Sequence, residues 1–142
     1  MPLRLIVALV STALVVPTIV GGWSSVDYVQ TEQRIRMEIS RVIGAAQRYL
    51  QAGSGGEVMD VSLRGGTFTR LEYIIFGDAS DQAYSKAVRY RLMGGAEQTM
   101  IARNPSVRLR SQDGVGLVLG EGTFAIEIAC LDGLSVTVSV VR

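Results

Sequence analysis

The stretch LIVALVSTALVVPTIV, residues 5–20, carries no charge, and GGWSSV prolongs the uncharged run to Val26. At a rise of 1.5 Å per residue a helix over Leu5–Val26 would reach about 33 Å, enough for a hydrocarbon core of about 30 Å. Arg4 and the terminal amine stand at one end, and Trp23 falls near the other, where an indole favours the membrane interface. Three readings fit this stretch. It is an anchor whose helix continues into the next segment, or a secretory signal cleaved after Gly22, or a helix buried in a protein core. The first two place the remainder of the chain outside the cytoplasm. Arg4 at the front argues for a cytoplasmic N-terminus.

From Ser24 the pattern becomes amphipathic. Tyr28, Ile35, Ile39, Val42, Ile43, Ala46, Tyr49 and Leu50 recur at helical spacing, while Gln30, Glu32, Gln33, Arg34, Glu38, Arg41, Gln47 and Arg48 take the other side. Ser24, Ser25 or Asp27 are candidate caps for a helix over 24–53. Glu32 with Arg36 and Glu38 with Arg41 have the spacing of opposed charges on a helix surface. Gly53-Ser54-Gly55-Gly56 ends the pattern, since glycine accepts the left-handed cap. If Pro17 merely kinks the chain, one rod runs from about Leu3 to Ala52.

Beyond Gly56 the period changes to two. Strands are expected over Val58–Leu63 and Thr67–Phe76, turning at Gly65-Gly66, and over Ala87–Met93 and Glu97–Ala102, turning at Gly94-Gly95. Val107 and Leu109 precede an Asp113-Gly114 turn, with Gly116–Leu119 returning. Thr123–Cys130 sets Phe124, Ile126, Ile128 and Cys130 on one face. Asp132-Gly133 leads into Leu134, Val136, Val138 and Val140, interleaved with polar residues. The expected fold class is therefore α+β: a hydrophobic membrane segment at 1–23 (anchor or signal), an amphipathic helix at 24–53, and an antiparallel β-sandwich or meander-type domain at 57–142.

Composition removes much chemistry. The 142 residues contain no histidine and one cysteine, Cys130, and fourteen basic against thirteen acidic residues leave a formal charge of +1. A thiolate metal cluster or an internal disulfide cannot be built from one cysteine, and a serine or cysteine nucleophile would have only Lys86 or a carboxylate as base. Cys130 is expected to be a buried small hydrophobe. Glu72, Asp78, Asp81, Glu97, Glu121 and Glu127 are candidate carboxylates for glycoside hydrolysis only in the sense that any sequence has some, and Glu127 should face water. Asp78-Ala79-Ser80-Asp81 offers oxygen ligands for Ca²⁺ but lacks EF-hand spacing. The glycine pairs lack the strand–GxxxxGK[ST]–helix context of a phosphate loop. Every basic residue except Lys86 is arginine; Arg89, Arg91, Arg108 and Arg110 alternate outward, and the near-neutral total makes them a solvated strand face rather than a nucleic-acid surface. No catalytic, cofactor-binding or metal residue is assigned, no cofactor is implied and no nucleic-acid partner is expected.

The apolar segment, the helix running on from it and a β-rich remainder resemble, along the whole chain, type IV pilin-like proteins of the archaeal pilin and archaellin group. The phrases Tyr73-Ile74-Ile75-Phe76-Gly77 and Tyr90-Arg91-Leu92-Met93-Gly94-Gly95, with the closing Leu134–Val140 strand, look like those of small members of that group. The resemblance implies a non-enzymatic subunit of a cell-surface filament or related assembly. Its partners would be the lipid bilayer, through residues 3–23, and copies of itself or other pilin-like subunits. The chain departs from the family pattern in two respects. Met1-Pro2-Leu3-Arg4 show no leader-cleavage site of the family's kind, and the first acidic residue is Asp27, so no glutamate stands near the start of the helix. These departures suit an accessory or minor subunit, or an anchored protein that shares the layout without polymerising. The alternative is a secreted β-sandwich binding module released by signal peptidase after Gly22, with Tyr84 as its best exposed aromatic. An enzyme ranks third for want of a constellation.

Overall fold

In the computed structural model residues 2–77, 86–103, 107–111, 116–131 and 133–141 are described, with backbone alone for 2–14. One long helix, α1 (Pro2–Ala52), is followed by eight strands among the described residues: β1 (Gly55–Leu63), β2 (Leu71–Phe76), β3 (Ala87–Leu92), β4 (Gln98–Ile101), β5 (Leu109–Ser111), β6 (Leu117–Leu119), β7 (Gly122–Cys130) and β8 (Val136–Val140). The layout is α+β, with two four-stranded sheets ordered β1-β7-β8-β5 and β4-β3-β2-β6.

The helix does not restart at residue 24. It runs unbroken through Pro17, Gly21 and Gly22, so Ser24, Ser25 and Asp27 cap nothing. The two serine hydroxyls instead donate to the Gly21 carbonyl, at 2.9 and 3.1 Å. That back-bonding lets serine sit inside a helix without competing for its own amide. Gly53, at φ 80, ends the helix and donates its amide to the Leu50 carbonyl at 3.2 Å. Ile35, Ile39, Val42, Ala45 and Ala46 are fully buried, and Tyr28, Tyr49 and Leu50 pack around them. They share one apolar cluster with Val61, Leu63, Ile126, Ile128, Val136 and Val138 of the first sheet and with Ile74, Phe76, Val88 and Tyr90 of the second. Each large side chain so buried contributes about 1.5–3 kcal/mol.

Two expected hairpins are absent. β1 does not turn back on β2 at Gly65-Gly66; it pairs antiparallel with β7, from Gly55 opposite Cys130 to Leu63 opposite Gly122. β2 lies in the other sheet between β3 and β6. A two-residue hairpin needs positive φ at its glycines, and neither Gly65 nor Gly66 has it. The expected strand over Thr67–Phe76 begins only at Leu71, because the amides before it bond elsewhere. The β5–β6 hairpin also fails: β6 joins β2, and β5 pairs parallel with β8, the one parallel pair among the described strands. Two antiparallel neighbours do follow expectation, β3 with β4 past Gly94 at φ 77, and β7 with β8 past Gly133 at φ 65. Leu134 precedes β8 and is 73% exposed, so it does not share the buried face of Val136 and Val138. The Asp113-Gly114 turn and Asp132 lie outside the described residues.

Candidate functional site

The most organised polar contact joins the helix to the loop between β1 and β2. Asp27 is the first carboxylate in the chain, and its oxygens accept the backbone N–H groups of Thr67 at 2.9 Å, Phe68 at 2.9 Å and Thr69 at 2.8 Å. Three successive amides aimed at one anion form a nest, a strong arrangement for holding negative charge. The Phe68 and Thr67 amides hold the Asp27 carboxyl below its ordinary value, with partial desolvation opposing them and Thr69 reinforcing them. The loop comes this close because Gly66 has no side chain. A Cβ there would lie within 2.5 Å of Thr31 Oγ1 and nearer still to both Asp27 oxygens. The amide of Gly66 bonds the Thr69 carbonyl at 2.6 Å, and that of Gly65 bonds Glu121 Oε1 at 3.1 Å. Both glycines are thus set by close approach rather than by a turn.

Further contacts tie the next turns of the helix. Tyr90 rises from β3, its ring fully buried; its hydroxyl donates to Glu32 Oε1 at 3.1 Å and accepts from Arg36 Nε at 2.9 Å. Glu32 and Arg36 also pair directly at 3.0 Å. Burial raises the Tyr90 phenol above its ordinary value, with Arg36 opposing and Glu32 adding to the shift. Arg48 pairs with Glu57 at 3.0 Å at the far end.

The N-terminal half of the helix contrasts with this. Every residue from Val15 to Trp23 is exposed. Trp23 is 69% exposed, and Val15, Val16, Ile19, Val20, Val26 and Val29 are each about half exposed. At about 100° per residue, Val15, Ile19, Trp23 and Val26 centre about 175° from the Ile35–Ile39–Val42–Ala46 line. This second apolar face lies on the side of the helix opposite the core-facing line. It ends at an open cleft of about 410 Å³ whose lining includes Trp23, Val26, Gln30, Thr67 and Phe68. A second cleft of about 440 Å³, lined by Ser24, Ser25, Tyr28 and Val29, lies across Phe68, which borders both. Phe68 is 56% exposed and forms a ridge on the loop, where the sequence placed it within a strand.

The residues singled out for chemistry are spread apart. Cys130 is buried among Ile126 and Ile128, and Glu127 faces outward. Glu72, Glu97 and Glu121 face Arg91 at 3.2 Å, Arg89 at 3.7 Å and Arg70 at 3.9 Å. Glu97 also accepts from the Tyr73 hydroxyl at 2.5 Å, which raises that phenol. The arginine face of β3 is therefore matched with carboxylates. Asp78, Asp81 and Tyr84 lie outside the described residues. Among the described residues no group of His, Cys, Asp and Glu could hold a metal ion. Among them, too, no helix is long and apolar enough to cross a membrane, a statement that does not reach the side chains of residues 1–14.

Sequence reasoning missed the Asp27 clamp and the exposure of Phe68. The available signal was a lone carboxylate at the end of an uncharged run together with a Gly-Gly pair that no hairpin uses. No family model matches the chain, and neither a curated protein nor a solved structure does.

Proposed function

We propose that the chain is a membrane-anchored, extracytoplasmic structural or accessory subunit of pilin-like kind, acting through protein–protein contacts of its long helix. The observation that carries this reading is the helix itself. One continuous rod has a C-terminal half whose apolar face enters the domain core and an N-terminal half whose apolar side chains from Val15 to Val26 have no cover. An exposed apolar surface of that extent on a soluble protein calls for a second environment. Lipid before assembly and neighbouring helices after it both meet that need. The two sheets are read as layers of a sandwich, since buried residues of both enter one cluster with the helix. The unbroken helix through Gly21 and Gly22 favours the anchored chain over release after Gly22, because peptidases take their substrates in extended form.

The test is extraction of cell membranes with alkaline carbonate, followed by protease added from outside intact cells. The anchored reading expects the chain to stay with the bilayer and the β domain to be accessible from outside. A chain washed out by carbonate, or protected from external protease, would contradict it.

A further inference from the structure

We infer that the loop Gly65–Arg70 sets Phe68 into the headgroup region of a phospholipid bilayer beside Trp23, so that this edge of the β domain rests on the membrane surface; the inference builds on the anchored reading above. The first argument is one of level. A helix over Leu5–Val26 reaches about 33 Å against a hydrocarbon core of about 30 Å, which brings Trp23 and Val26 to the outer boundary of that core. The Asp27 clamp then fixes the loop at the same height, since three consecutive amides, Phe68 among them, bind a carboxylate one turn beyond Trp23.

The second argument is the direction in which the apolar surface extends. Along the helix axis the exposed Gln30, Gln33 and Arg34 interrupt it and separate it from the exposed Met37. Across the axis it continues from Trp23 and Val26 to Phe68, around one cleft. A neighbouring helix would use a surface running along the axis, whereas a lipid boundary uses a band at one depth, with aromatic rings at its rim.

Charge is the third argument. The acidic group in the cleft, Asp27, is held by three N–H groups, so it presents little free anion to a phosphate. Exposed Arg64 and Arg70 bracket the loop at its two ends. Glu121 spends one oxygen on the Gly65 amide and faces Arg70 with the other only at 3.9 Å. Two guanidinium groups beside an exposed aromatic ring suit the phosphate layer.

The chain has a single tryptophan, so its fluorescence reports one position at a time. The full chain, and the double variant Trp23→Phe, Phe68→Trp, would be reconstituted into vesicles of phosphatidylcholine with phosphatidylglycerol, with and without lipids brominated at defined depths. The inference expects blue-shifted emission from both positions 23 and 68. Shallow bromines should quench each at least ~2-fold more than bromines near the chain ends, as interfacial rings require. Emission from position 68 that is quenched freely by aqueous acrylamide and not by brominated lipid, while position 23 is quenched by lipid, would overturn the inference and leave the anchor intact. Failure of the chain to float with the vesicles would overturn both. Protection at position 68 that appears only as protein-to-lipid ratio rises would identify a second copy as the occupant and also overturn it. If the double variant melts below the parent chain, Phe68→Cys carrying a nitroxide reads the same depth; Cys130 is fully buried and does not compete for the label.

Discussion

Gly66→Ala isolates the contact between Asp27 of the helix and the loop between β1 and β2. At a glycine with ordinary negative φ and free space, alanine stabilises by about 0.4–1 kcal/mol through the unfolded chain. Gly66 has no positive φ, so its backbone would accept alanine. Space is what it lacks. The new methyl would fall on Asp27 and Thr31 Oγ1 from the helix side. Asp27 cannot swing aside without releasing the Thr67, Phe68 and Thr69 amides, and the loop cannot retreat without pulling on the Gly65–Glu121 bond. The expected cost is that of overpacking, about 1–3 kcal/mol. At roughly 4 °C per kcal/mol for a domain of this size, the melting point of the full chain in detergent micelles should fall by about 4–12 °C. Amide hydrogen exchange supplies the local reading: Thr67, Phe68 and Thr69 should be protected in the parent and exchange faster in the variant. A Gly66→Ala chain that melts at or above the parent, with those amides still protected, would refute the close approach.

Three further expectations use the same melting assay. Asp27→Asn should weaken the chain at neutral pH and flatten its acid dependence. A carboxylate held below its ordinary value of 3.8 stabilises fully above that value, and its contribution fades as pH falls from there through the lowered value; parent and variant curves that run parallel through this acid range would contradict the clamp. Tyr90→Phe should lose only about 0.5–1.5 kcal/mol, because Glu32 and Arg36 keep each other at 3.0 Å, and a melting point unchanged from the parent would remove the hydroxyl from the account. Gly44→Ala should raise the melting point by an amount corresponding to about 0.5–1 kcal/mol, since nothing lies within 4 Å of the added methyl; a drop would contradict the open space beside this helix face.

Local pattern and long-range pairing were unequally legible in the residues. Helical spacing from Tyr28 to Leu50 named most of the buried face, without Thr31 and Ala45, because an apolar stripe of that period has the following β domain to pack on. Alternation likewise marked strands at Val58–Leu63, Thr123–Cys130 and Leu134–Val140 and named the inner faces of the last two, with Leu134 the exception that lies outside its strand and exposed. It does not encode which strand lies beside which. β1 finds β7 across 59 to 75 residues of chain, and β5 lies parallel to β8, with no local signal for either. Gly65-Gly66 was misread for a physical reason: glycine serves both for positive φ and for close approach, and only the position of Asp27 across the gap distinguishes the two. Phe68 illustrates the reverse error. An aromatic residue beside β-branched neighbours implies a buried strand, yet the three amides of Thr67–Thr69 are spent on the helix and the ring is left outside.

The central claim is that residues 5–26 remain part of the mature chain and lie in lipid or in a helix-packed polymer. Intact mass and N-terminal sequence of the protein, taken from native membranes and from material sheared off the cell surface, test it most directly. The account predicts a chain that retains Leu5–Val20 in the membrane fraction, and the same chain in sheared polymers if it assembles. A soluble chain beginning at Trp23 would contradict it.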